Sequence, residues 1–396
     1  FQICDAISVV NGQAAYTMQV GSVNVIPQSA NHMIVSLNGT IQKPNSSFTV
    51  SGSTITFSSN LATGDVIDFI QILGDVLDLG VPSDATVTTA KLADNNVTTA
   101  KLAYNPNPNR NIIINGDMSQ AQRGTSQASI TSSGYYTVDR FRLGAVSAGT
   151  WTMSQDTDVP TGQGFSSSAK LDCTTANGSL SASSLLYFEQ LIEGQNLQYL
   201  KKGTSSAEST TLSFWVKSNK TGTYTCEIFD NDNTRTISKS YTISSADTWE
   251  KKTLTFAGDT TGTLGNDNNT SFTLNFWLVA GTTYSSGTLA TDWESRTNAN
   301  RAVGQVNLAD STSNEWYVTG IQLEASDTAS DFEFLPVDVN LARCQRYFEK
   351  MLPETMIMLR YSGSTSFGRA GNFKVTKRAS PSLSRENGTT TIGAYN

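Results

Sequence analysis

Charge and histidine are what this sequence has least of. Only 15% of its 396 residues are charged, 27 Lys and Arg against 34 Asp and Glu, for a formal net charge of −7; soluble domains usually carry about 25%. The cations are scattered singly. Neutralising a phosphate backbone or an anionic membrane takes clustered cations, so a nucleic-acid partner is excluded. The single histidine, His32, leaves no multi-histidine metal site and no second imidazole base; it reads as the opening of a strand. No apolar run approaches the ~18 residues of a membrane span, and no charged-then-apolar leader opens the chain, so no membrane insertion is expected. The chain starts at Phe1 rather than Met, which leaves room for upstream residues. Its four cysteines, Cys4, Cys173, Cys226 and Cys344, are 169, 53 and 118 residues apart. These spacings match no metal or redox pair and predict buried free thiols in a chain folded in a reducing compartment.

Ser and Thr, by contrast, make up about a quarter of the chain, and 6 Trp, 13 Tyr and 17 Phe are enough to build real cores. The composition fits a mainly β protein. Over residues 1–80 short strands alternate with turn signals. Met33–Leu37 runs into Asn38-Gly39, the strongest two-residue hairpin signal, and Phe48–Val50 and Thr54–Phe57 flank Ser51-Gly52-Ser53. A small N-terminal β domain of five to seven strands is predicted. Residues 81–106 hold a repeat: Val87-Thr88-Thr89-Ala90-Lys91-Leu92-Ala93 recurs unchanged ten positions later, from Val97 to Ala103. Val87, Leu92, Val97 and Leu102 have no apolar partner in so thin a segment, and each forgoes about 1.5–3 kcal/mol if left in water. Parallel copies packed about an axis would recover that, so the segment reads as an oligomerisation stalk.

From 107 to 338 the strands lengthen. Thr211–Lys217, Thr223–Phe229, Ser271–Val279 and Trp316–Leu323 alternate apolar and polar residues between Gly/Asn/Asp turns, as in a β-sandwich or jelly roll. A short helix is expected over Asn196–Lys202, stopped by Gly203. A longer one is expected from about Val339 to Met351, with Leu341, Cys344, Phe348 and Met351 on one stripe, followed by a short C-terminal β segment.

Catalytic chemistry finds little support. A hydrolase acting on glycans needs two carboxylates about 5–9.5 Å apart, and no spacing singles out a pair; Glu189 and Glu193, four apart, read as skewed on one strand. There is no Gly-x-Ser-x-Gly elbow. Asp230-Asn231-Asp232-Asn233 opens like a calcium loop but lacks its central Gly and closing Glu, and reads as a turn. Sugar binding is better served, because flat aromatic faces stack on pyranose rings while amides and carboxylates hold the hydroxyls. With Leu212, Phe214, Cys226, Ile228, Leu274 and Phe276 inward, alternation turns Trp215, Glu227, Asn275 and Trp277 outward. These four are the glycan-binding candidates, expected to share one open sheet face. A loop or an oligomer interface covering that face is the rival reading.

Seven segments resemble those of bacteriophage tail-fibre proteins, in the same order. They are Asn111–Met118 (NIIINGDM), Ala121–Thr125 (AQRGT), Tyr136–Phe141 (YTVDRF), Glu189–Gly194 (EQLIEG), Leu212–Lys217, Trp316–Glu324 (WYVTGIQLE) and Cys344–Lys350 (CQRYFEK). The resemblance implies a jelly roll similar to carbohydrate-binding modules, and a homotrimeric virion fibre that works with other tail proteins to contact a bacterial surface glycan. It implies attachment without catalysis; the alternative is a structural connector, or a head or proximal fibre segment, that binds no receptor. No cofactor is expected, and the structural calcium that such jelly rolls often carry has no assigned site here.

Overall fold

In the computed structural model, residues 1–73, 109–351 and 372–385 and the strands 357–360, 367–370 and 392–395 are described. The repeat residues Val87, Leu92, Val97 and Leu102 lie outside them. The chain divides into two compact units, Phe1–Asn96 and Val97–Asn396.

The first unit holds β1 (Gln2–Ile3), β2 (Gln13–Thr17), β3 (Gln19–Val20), β4 (Val23–Asn24), β5 (Met33–Leu37), β6 (Thr40–Ile41), β7 (Phe48–Ser51), β8 (Thr54–Leu61) and β9 (Ile67–Ile72). Two sheets, β1-β9-β5-β6 and β2-β8-β7, enclose Tyr16, Met18, Met33, Val35, Phe48, Ile55, Phe57 and Ile70. Both hairpins form where the turn residues place them. Asn38 and Gly39 have φ of +52° and +74°, the left-handed pair that a two-residue turn needs to match the strand twist. His32 sits one residue earlier than expected, in a 3-10 turn ahead of β5, with Nδ1 2.9 Å from Ser29 Oγ.

The second unit is a jelly-roll-like sandwich of two antiparallel six-stranded sheets. Its strands are β10 (Ser126–Ile130), β11 (Phe141–Val146), β12 (Thr150–Asp156), β13 (Ser168–Thr175), β14 (Leu185–Glu193), β15 (Thr210–Ser218), β16 (Gly222–Asp230), β17 (Arg235–Ile243), β18 (Glu250–Phe256), β19 (Thr270–Ala280), β20 (Glu294–Ser295) and β21 (Glu315–Ala325). The first sheet runs β10-β12-β13-β21-β15-β18 and the second β11-β14-β19-β16-β17-β20. Rings from both meet between them: Phe214 of the first lies edge-on to Phe276 of the second at 5.1 Å, and Trp316 of the first packs against Phe188 of the second at 5.8 Å. Such edge-to-face pairs add to the burial gained by each ring. Cys173, Cys226 and Cys344 are buried free thiols in this unit, as is Cys4 in the first.

Alternation by residue type survives in these strands, but alternation by exposure does not. In β19 every residue from Ser271 to Val279 is buried, so both faces of the sheet are covered, the inner one by the first sheet and the outer one by two further stretches of chain. One cover is the connection from β19 to β21, which contains α1 (Thr282–Ser285) and β20. The other is the C-terminal part of the unit. Its helix α2 runs from Val337 to Gln345, shorter than the expected Val339–Met351; the chain then turns through Tyr347 and Phe348 into β22 (Lys350–Met351), which pairs with β26 (Ile392–Tyr395). The hairpin β23 (Ile357–Arg360)–β24 (Phe367–Ala370) and the strand β25 (Ser382–Arg385) complete the C-terminal β segment. α2 is stitched to the sandwich by Asn340 Nδ2, 3.1 Å from both Asp117 Oδ1 and Ser119 Oγ. The helix expected at 196–202 is two 3-10 turns, Gly194–Asn196 and Gln198–Leu200, and the turn past them ends at Gly203 with φ +83°.

Candidate functional site

The register lays out the outer face of the second sheet in rows. Gly144, Tyr187, Trp277 and Thr225 form one; Arg142, Glu189, Asn275, Glu227 and Ser238 the next; Leu191, Thr273, Phe229 and Thr236 the third. Gly144 is required here because the Tyr187 ring lies on it: a Cβ would come within 2.1 Å of the ring.

Three of the four sugar-binding candidates meet in these rows, pointing away from the sandwich core as alternation predicts. They are not on an open face. Trp277 and Glu227 are fully buried and Asn275 nearly so, because the 281–309 connection lies on them as a strap. Arg301 of the strap donates to Glu227 through Nε at 2.7 Å and Nη2 at 3.0 Å. The same carboxylate accepts from Thr236 Oγ1 (2.7 Å), Asn275 Nδ2 (3.0 Å) and Trp277 Nε1 (2.9 Å). Tyr284 of the strap packs on Trp277 at 5.3 Å. Burial pushes the Glu227 carboxyl up, but the Arg301 guanidinium and the donors around it outweigh that and hold it below its ordinary value. Glu227 is therefore a lock for the strap. Trp215 is the second correction. It lies on the first sheet, paired with Thr319 and Lys251, and shares no face with the other three. It is half-buried, on the side where Lys217 stacks over Tyr317 at 4.1 Å and Trp249 donates to Asp158 at 2.9 Å.

On the β11–β14 side of the second sheet, the outer face borders a cleft of about 200 Å³. It is lined by Arg140, Arg142, Leu191, Glu193 and Thr270 from the sheet region and by Arg123, Tyr135 and Asp139 from the chain leading to β11. Cys344, Tyr347, Phe348 and Arg378 come from the C-terminal part. The guanidinium of Arg123 lies 3.7 Å from the centre of the Phe348 ring, and that of Arg140 3.4 Å from the centre of the Tyr347 ring. Both carboxylates are engaged. Asp139 Oδ2 accepts from Gln122 Nε2 at 2.7 Å and its Oδ1 faces Arg123 at 3.4 Å; its deep burial nevertheless pushes the carboxyl up. Glu193 is gripped by Arg346 through Nε (2.9 Å) and Nη2 (2.8 Å). Burial pushes Glu193 up too, but hydrogen bonds from Arg346, Tyr347 and Gln195 hold it below the usual carboxylate value. Glu189 and Glu193 do not splay as expected: both sit on the outer face of β14, Glu189 paired with Arg142.

Residue-by-residue reading missed this cleft because its members are spread from 123 to 378. The signal was nevertheless present. Four of the seven segments quoted above supply eight of the twelve lining residues: Arg123, then Asp139 and Arg140, then Leu191 and Glu193, then Cys344, Tyr347 and Phe348. The expected calcium-like stretch is a turn, in which Asp230 Oδ1 accepts from the backbone of Asp232 and Asn233 while Oδ2 faces Lys202 Nζ at 2.6 Å. Among the described residues, no helix is long and apolar enough to cross a membrane.

No family model matches the sequence, and no curated protein does. Among solved structures the chain is similar to the enzymatically active domain of tailspike protein 4 of bacteriophage CBA120, at 15% identity and a TM-score of 0.29, over 55% of this chain and 22% of that one. It is similar to the family 11 carbohydrate-binding module of Clostridium thermocellum in complex with a β-1,3-1,4-mixed-linked tetrasaccharide, at 11% identity and a TM-score of 0.27, over 52% of this chain and 98% of the module. A family 61 carbohydrate-binding module in complex with β-1,4-galactotriose aligns at 10% identity and a TM-score of 0.28, over 55% of this chain and 99% of that one.

Proposed function

We propose that this chain is a non-catalytic component of a bacteriophage tail fibre, a homotrimer within the virion that attaches to a bacterial surface by binding glycan through its jelly roll. The observation that carries the binding part is the cleft, where the rings of Tyr135, Tyr347 and Phe348 stand beside guanidinium and carboxylate groups. A pyranose offers an apolar C–H face and a rim of hydroxyls, and recognition needs both kinds of partner in one concavity. Engagement of both cleft carboxylates by neighbouring donors supports binding over hydrolysis, which needs one free acid and one free base or nucleophile. The tail-fibre part rests on the seven segments and on the repeat at 87–103. Three weak sites on one fibre would act together, since linked binding can exceed single-site affinity by about 10²–10⁴.

Labelled protein incubated with a panel of bacterial cells is expected to adsorb saturably to some strains, with soluble surface polysaccharide from those strains competing and keeping its chain length. Folded protein that adsorbs to none would favour the structural connector, and shortening of the polysaccharide would contradict the absence of catalysis. Native mass measurement is expected to give three chains of 42.6 kDa each; a stable monomer would contradict the stalk.

A further inference from the structure

Arg140 carries two energetic costs at one point of the cleft. Its backbone has φ +73°, a left-handed conformation that a long side chain adopts only when its surroundings impose it and that clusters at ligand clamps. The residue is also only 5% exposed, yet its guanidinium is incompletely satisfied. It donates to the Leu191 carbonyl and stacks on Tyr347, and its Nε has no hydrogen-bond partner. Among the described residues no carboxylate forms an ion pair with it: Asp139 faces Arg123, and Glu193 is held by Arg346. Arg142 is paired with Glu189. Asp139 acts on Arg140 only at longer range than an ion pair; a buried cation that no carboxylate contacts is unfavourable until an anion reaches it, and the planar guanidinium fork suits an oxyanion.

We propose that the cleft lined by Arg140 receives the anionic group of an acidic sugar, a carboxylate or a sulfate or phosphate ester. The oxyanion meets the Arg140 guanidinium, and the sugar ring packs towards Tyr135. This rests on the glycan-binding reading above and names the class of sugar.

The test is a glycan array carrying uronate-containing, sulfated, phosphorylated and neutral oligosaccharides, probed with the wild-type chain and with Arg140→Asn. Asparagine is among the residues that tolerate a positive φ, so the variant removes the cation without adding backbone strain. Wild type is expected to bind anionic sugars, less strongly as NaCl rises from about 50 to about 500 mM, and Arg140→Asn to bind them about tenfold more weakly or worse. Uronate binding alone identifies a carboxylate, and binding of the esters alone an ester. Selection of neutral sugars, or anionic binding that Arg140→Asn leaves unchanged, overturns the proposal while glycan binding stands. Adsorption to cells with no anionic sugar bound on the array also overturns it. Absence of both array binding and cell adsorption overturns the two readings together. Should the variant fail to fold, competition on the wild type decides: free glucuronate, but not glucose, is expected to displace the bound sugar, and equal displacement by both overturns the proposal.

Discussion

The two outer faces of the sandwich are built from the same alternating strands and end up with different properties. On the first sheet, Trp215 and Trp249 lie half-covered and Tyr317 is buried beside Lys217, with Asp158 accepting from Trp249. On the second, the strap buries Trp277, Asn275 and Glu227 over β16, β17 and β19, and the C-terminal part closes over β11 and β14 to leave a cleft. Strand period decides which way a side chain points. What covers it is decided by residues far away in sequence, here the 281–309 connection and, at the cleft, Cys344, Tyr347, Phe348 and Arg378. A tryptophan on an outward position is therefore a candidate for a binding platform on one face and a core residue on the other.

The largest effect on this contrast is expected from Glu227→Ala. It leaves the Arg301 guanidinium buried without its partner, and breaking such a pair typically costs about 3–5 kcal/mol. Urea denaturation should show that loss with Trp277 becoming solvent-accessible, and a change below about 1 kcal/mol would mean that the strap is held by other contacts. Gly144→Ala comes next. Its Cβ would sit 2.1 Å from the Tyr187 ring, and overpacking of this kind costs about 1–3 kcal/mol in thermal or chemical unfolding. Acid acts through the same groups. The folded-state values of Glu227 and Glu193 are lowered, so their contribution is complete above the unfolded-chain value of about 4. It is lost as pH falls through the folded values. A pH series of unfolding midpoints should therefore drop on the acid side, less steeply in Glu227→Gln than in wild type. The smallest effect on stability is expected from Trp215→Ala, below about 1.5 kcal/mol for a half-exposed ring, by the same unfolding measurement.

The β architecture was legible in advance because it depends on local signals. Asn38-Gly39 sets its own turn, and Leu212, Phe214 and Val216 join the sandwich core at the period of two that their spacing implies. The outward direction of Glu227, Asn275 and Trp277 was legible for the same reason. Their burial was not, since nothing in β16 or β19 reports that Arg301 and Tyr284 will arrive on top of them. Trp215 was grouped with them because alternation carries no information about which sheet a strand joins; that depends on pairing, and β15 pairs with β18 and β21. The end of α2 was misplaced because Phe348 and Met351 continue an apolar stripe that the chain satisfies in a turn and a strand instead. The cleft shows the same limit most clearly: Arg140 and Tyr347 are 207 positions apart, and only the fold stacks one on the other.

The central claim is that sugar binding belongs to the cleft of the second sheet and not to the outer face of the first. Cell adsorption by Tyr135→Ala and Trp215→Ala, measured side by side with wild type, tests it directly. Loss of one stacking ring is expected to weaken Tyr135→Ala about tenfold, the equivalent of about 1.4 kcal/mol, while Trp215→Ala adsorbs like wild type. Loss of adsorption in Trp215→Ala with Tyr135→Ala unchanged would contradict the account.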